Sequence, residues 1–153
     1  GVQSMQRAFP DTPECSCNIG NVELEGDAVV CYISVRSCKG SLIDQMCGKY
    51  RALAELTGCA LTFRDRLPGW DYDRDSRLRR LVDTEYNERF GAAPRFKVTH
   101  ASTECGMFKE QLPHMDIISM GPIIYEEHTP REYMEIQSVG VVWEFVKSII
   151  SQL

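Results

Sequence analysis

ECSCNIGNVELEGDAVVCYISVR, residues 14–36, decides how the first half of this chain folds. β-Branched residues are present in both halves of the stretch, sparsely as Ile19 and Val22 in the first and densely in the second, and Glu25-Gly26-Asp27 interrupts it with residues suited to a tight turn. Two extended runs, 14–24 and 28–36, are therefore expected to form a hairpin. Next, Leu42, Met46, Leu53 and Leu56 recur at helical spacing as far as Gly58, which is well placed to take the left-handed conformation that ends helices. Residues 59–64 then read as another strand. The order strand, strand, helix, strand is the latter part of a βαββαβ unit that lacks its first strand and helix. Such a unit leaves an edge or a sheet face uncovered, which is costly unless another segment or chain covers it.

Leu67-Pro68-Gly69-Trp70-Asp71 punctuates the chain, and the pattern beyond it changes to alternating helix and strand. Leu78, Leu81, Val82, Tyr86 and Phe90 form a helical stripe with Gly91 and Pro94 as stop signals. Residues 96–99 suggest a short strand, 104–112 a short helix and 116–121 a second strand. Val139, Val142, Trp143, Val146, Ile149, Ile150 and Leu153 mark a final amphipathic helix, whose stripe is expected to pack into a core. This rhythm belongs to an α/β sheet with covered faces, yet two strands are too few to stabilise one, so a larger body is implied. Sites in such sheets gather beyond the C-terminal ends of strands. His100 and Glu104 follow one expected strand, and His128 follows the other.

The 153 residues suffice for one ordinary domain or for two pieces of a larger protein, and 43% hydrophobic with 25% charged residues is the balance of a soluble globular chain. A net charge of -5 argues against a nucleic-acid partner, because phosphate binding needs clustered cations. Arg74, Arg77, Arg79 and Arg80 are interleaved with Asp73, Asp75 and Asp83 and read as a solvated helix face. No apolar run approaches the roughly 20 residues that span a bilayer, and the N-terminus lacks the form of a secretory signal. No membrane partner is expected, and a cytoplasmic location is the default. Seven irregularly spaced cysteines fit reduced thiols better than a disulfide framework. Cys15 and Cys17 would share one strand face, but no second pair completes a zinc site. Cys105, close in sequence to His100, is weak as a nucleophile without an activated dyad.

A neutral imidazole is a good zinc ligand, but a hydrolytic zinc site needs about three protein ligands and an open position for water. The chain has three histidines, His100, His114 and His128, and no HExxH or CxxC element to supply the rest. Glu126 and Glu127 precede His128, but neighbours on an extended segment point to opposite sides. The site read from the residues is incomplete. Chemistry alone equally permits His128 to be a turn histidine before Pro130, Glu104 a first-turn acid favoured by the helix dipole, and His114 a surface residue.

The blocks GVQSM, CSCNIGNV, VRSC, LPGW, HASTECGMF and MDIISMGPIIYEEHTPREYMEIQSV, spread in order over nearly the whole chain, resemble the C-terminal portion of the aminoacyl-histidine dipeptidases. These belong to the co-catalytic zinc peptidases, which also hold peptidase T, carboxypeptidase G and the aminoacylases. The resemblance implies an α/β fold in which residues 1–68 are the second part of a βαββαβ lid, or dimerisation-type, domain. Residues 69–153 would be the C-terminal part of the catalytic domain. It further implies two zinc ions sharing a water that a glutamate deprotonates, with that base and most ligands lying in an N-terminal portion outside this sequence. No catalytic base is then expected here. His128, in the HTP element, matches the last metal ligand. Glu104 and His100, in HASTECG, match a substrate-side block, and Glu104 is expected to pair with the α-ammonium group of an Xaa-His dipeptide. Asn18 and Arg36 match lid positions, for which structural roles come first. Ser102-Thr103 in place of Gly-Leu, Cys38 in place of Ser, and CSCNIG depart from the usual pattern without touching His128 or Glu104. The expected partners are the N-terminal portion and the dipeptide, and a homo-oligomer is compatible with the open edge. The alternative is a non-catalytic interaction or pseudoenzyme module that pairs with another chain through that edge.

Overall fold

The computed structural model describes residues 1–101 and 103–153, so Ser102 lies outside the described residues. In chain order the elements are β1 (Val2–Met5), β2 (Pro13–Glu25), β3 (Ala28–Ser37), α1 (Gly40–Thr57), α2 (Arg77–Phe90), α3 (Glu104–Gln111), β4 (Ile124–Tyr125), β5 (Tyr133–Met134) and α4 (Ile136–Ile150). They fall into two compact units. The first is Gly1–Asp73 with Lys97–Met115, and the second is Arg74–Phe96 with Asp116–Leu153.

In the first unit the hairpin forms as expected, antiparallel from Cys15 opposite Ser37 to Glu25 opposite Ala28. Gly26 opens the turn at φ 62°, a conformation that a side chain would strain. β1 adds a third antiparallel strand beside the start of β2, with Val2 opposite Ser16 and Met5 opposite Pro13. α1 packs on β3, and Ile43 and Met46 of its inner face are buried, as are Cys15 and Cys38. Gly58 ends α1 in the left-handed region at φ 70°, donating its N–H to the Ala54 carbonyl. Burial is uneven along the hairpin. Cys15 and Ser37 at its base are 2% and 1% exposed, whereas Leu24 and Val29 at its tip are 75% and 68% exposed. The tip therefore carries apolar side chains that nothing within this unit covers.

In the second unit Val82 of α2 and Phe145 and Ile149 of α4 form a buried cluster, joined by Leu78, Leu81, Tyr86 and Ile118. The Phe145 ring meets Tyr86 edge-on at 5.6 Å and Phe90 at 5.8 Å. Such contacts add to the area that the rings bury. The first turn of α2 is closed twice: Ser76 Oγ accepts from Arg79 N at 2.9 Å, and Asp116 Oδ2 accepts from Leu78 N at 2.7 Å. No helix among the described residues is long and apolar enough to cross a membrane.

Three expected strands, 59–64, 96–99 and 116–121, carry no ladder in the structure. A strand exists only where a neighbouring backbone takes up its N–H and C=O groups, and among the described residues none forms such a ladder with these segments. Residues 59–66 instead run back along α1, where Arg51 sits 5.3 Å over the Phe63 ring and Arg66 pairs with Asp44. The stripe of α4 also differs from expectation. Phe145 and Ile149 are its buried apolar residues, while Trp143 and Ile150 are 61% and 63% exposed. α2 covers one side of the helix only.

Candidate functional site

His128 lies in the second unit, in the seven-residue connection between β4 and β5, and not at the end of an expected strand. Tyr125 and Tyr133 pair and stack at 4.8 Å at the foot of this hairpin. Ser138 of α4 anchors it by accepting from Ile123 N at 2.9 Å and donating to Glu135 O at 2.6 Å. Within the turn, Glu126 has φ 51° and His128 has φ 65°. Both are in the left-handed region that side chains disfavour, so the extended geometry expected for Glu126-Glu127-His128 does not hold. Thr129 donates both its N–H, at 3.2 Å, and its hydroxyl, at 2.8 Å, to the Glu126 carbonyl. Arg131 Nε reaches the Glu126 carboxylate at 2.7 Å. The His128 N–H donates to Glu132 Oε2 at 2.7 Å. An exposed imidazole thus stands on a heavily cross-linked loop, chemically fit to be one donor to a metal. Among the described residues no group of three or more His, Cys, Asp or Glu could hold a metal ion.

His100 and Glu104 lie together in the first unit. His100 is half-buried, with Nε2 2.8 Å from Ser16 Oγ on β2. Ser16 stands opposite Arg36 on β3. Burial, and secondarily the Arg36 cation, hold the His100 pKa below its ordinary value, which favours a neutral ring. Glu104 is the exposed first residue of α3, where the helix dipole favours a carboxylate. The preceding Thr103 makes no side-chain cap, and its buried Oγ1 has no hydrogen-bond partner among the described residues. Asn18 is exposed opposite Ser34, and His114 is exposed on a turn.

Two glycines fix where α3 begins. A β-carbon on Gly106 would lie 3.2 Å from the Pro68 carbonyl carbon and closer still to its oxygen, and one on Gly69 would overlap the Cys38 carbonyl and lie 2.9 Å from Lys39 N. Three stretches of backbone therefore touch in sequence: the end of β3, the Leu67-Pro68-Gly69 punctuation and the Glu104-Cys105-Gly106 turn. Sequence reading found the punctuation but missed its packing role, and it missed Ser16 and Glu132 altogether. The signal available for the packing was a glycine inside each block, a residue that admits close backbone approach. All seven cysteines are free. Burial pushes the Cys38 thiol up to about 11 and the Cys15 thiol up as well, making both poor nucleophiles at neutral pH.

No family model matches this sequence. Over 140 residues it is 32% identical to the cytosol non-specific dipeptidase of Escherichia coli (strain K12), a match that takes in 92% of this chain and 29% of that protein. The crystal structure of aminoacylhistidine dipeptidase from Vibrio alginolyticus matches this chain with a TM-score of 0.84 at 33% identity, covering 100% of this chain and 31% of that one. The chain thus spans less than a third of the length of these relatives. Its mixed α/β fold is that of the Vibrio structure, and the resemblance to the C-terminal portion of aminoacyl-histidine dipeptidase stands.

Proposed function

We propose that this chain supplies the C-terminal part of a zinc-dependent dipeptidase that acts on Xaa-His dipeptides in the cytoplasm, completed by an N-terminal portion bearing the other metal ligands and the general base. The observation that carries this reading is the cross-linked β4–β5 turn, which presents an exposed imidazole within a chain whose whole length aligns with dipeptidases. In this reading residues 1–68 belong to the lid and 69–153 to the catalytic domain.

His128 is one donor to a zinc ion, whose chemistry when bound is to polarise a carbonyl and acidify water. Glu104 offers a carboxylate on an exposed helix start to the substrate's α-ammonium group, a charge-assisted pairing that would orient the dipeptide. His100, neutral and tied to Ser16, lies beside the substrate as a hydrogen-bonding group rather than a fixed charge.

The test measures zinc content and Xaa-His hydrolysis for the 153-residue chain alone and after combination with the N-terminal portion. Restored turnover that His128→Ala abolishes is the expected result. Unchanged kinetics and metal content in His128→Ala would remove the ligand assignment. A second reading, an inert module pairing with another chain, is favoured by the uncovered apolar hairpin tip. A stable, metal-free oligomer inactive in both assays would select it.

A further inference from the structure

The turn that carries His128 is more tightly determined than a chain reversal requires. Two residues with β-carbons, Glu126 and His128, occupy the left-handed region within three positions of each other. Such conformations persist only where the surroundings over-determine them. Glu126 is held through its carbonyl, by both donors of Thr129, and through its carboxylate, by Arg131. His128 is held differently. Its N–H is taken by the Glu132 side chain at 2.7 Å, and Glu132 is itself fixed by donating its own N–H to the Thr129 carbonyl at 3.1 Å. That closes a ring from His128 through Thr129 to Glu132 and back.

The geometry points to Glu132 as a positioning residue for His128: by accepting the amide proton of His128, its carboxylate locks the backbone conformation from which the imidazole projects. This rests on the reading of His128 as a metal donor. A ligand on a free turn must be ordered when the metal binds, whereas one held by a charge-assisted bond is ordered beforehand. Glu126 and Arg131 brace the other end of the turn, but Arg131 is 82% exposed and the pair is solvated, so it makes a natural control.

Two measurements test the inference. In nuclear magnetic resonance spectra of the 153-residue chain, the His128 amide proton is expected far downfield and slow to exchange. Glu132→Ala should speed its exchange about tenfold or more, Glu132→Gln should restore much of the protection because an acceptor oxygen remains, and Glu126→Ala should leave it unchanged. In the intact enzyme formed with the N-terminal portion, competition with a chelator gives the zinc affinity. Glu132→Ala should weaken it about 10- to 100-fold, with partial rescue by Glu132→Gln and no effect of Glu126→Ala. Wild-type affinity in Glu132→Ala beside loss in His128→Ala would overturn the positioning role and leave the ligand. Wild-type affinity in both would overturn the ligand reading, and the inference with it.

Discussion

Replacing Gly106 with alanine tests whether α3, and with it Glu104, is placed by backbone contact. An alanine is ordinarily welcome inside a helix, where it gains about 1 kcal/mol over glycine. Here the added carbon would sit 3.2 Å from the Pro68 carbonyl carbon, 3.5 Å from the Gly69 carbonyl carbon and nearer still to the Pro68 oxygen. All three are main-chain atoms, which cannot rotate aside as a side-chain tip can. Overpacking of this kind costs roughly 1–3 kcal/mol, and a clash with backbone belongs at the upper end. Setting the helix gain against it leaves a net loss of about 2 kcal/mol. Gly48, inside α1 of the same unit, has nothing within 4 Å of its would-be β-carbon, so Gly48→Ala should stabilise by up to about 1 kcal/mol. Urea unfolding followed by far-ultraviolet circular dichroism compares the two variants on one transition. Gly106→Ala at or above wild-type stability would refute the account of a helix start fixed by the Pro68–Gly69 backbone.

Acidification should destabilise the first unit through His100. Its folded pKa is lowered from 6.5, so the unfolded chain binds the proton more readily; the contribution is whole above 6.5 and is lost as pH falls from there through the folded value. His100→Gln should flatten that part of the urea midpoint against pH, and an unaltered slope would count against it. In the second unit, Phe145→Ala should remove about 3 kcal/mol or more by emptying the space beside the Tyr86 and Phe90 rings, read as a fall in thermal midpoint. At the hairpin tip, Leu24→Lys alone should change stability by less than about 0.5 kcal/mol, because the side chain already faces solvent in this chain. A large loss in the urea midpoint would show that the tip is covered by something else.

The helices were legible in the sequence almost to their ends: Gly58 and Gly91 stop α1 and α2 where their residue types say they should, in the left-handed conformation. The β2–β3 hairpin was legible too, because its turn lies between the two strands it joins. Each of these elements finds its hydrogen-bond partners within a short stretch of chain, and that stretch is written in order. His128, Glu104 and His100 could be singled out by motif, but neither the left-handed turn under His128 nor the Ser16 contact to His100 could. The first depends on Glu132 reaching back four residues, and the second joins residues 84 apart. Segments 59–64, 96–99 and 116–121 have strand composition and no ladder, since a ladder needs a second backbone at the right distance and composition cannot provide one. Local patterning by itself settled the elements that bond to themselves. Tertiary structure decided which backbones meet, from the pairing of β1 with β2 to the contact of Gly106 with Pro68, because those contacts are made between distant stretches of the chain.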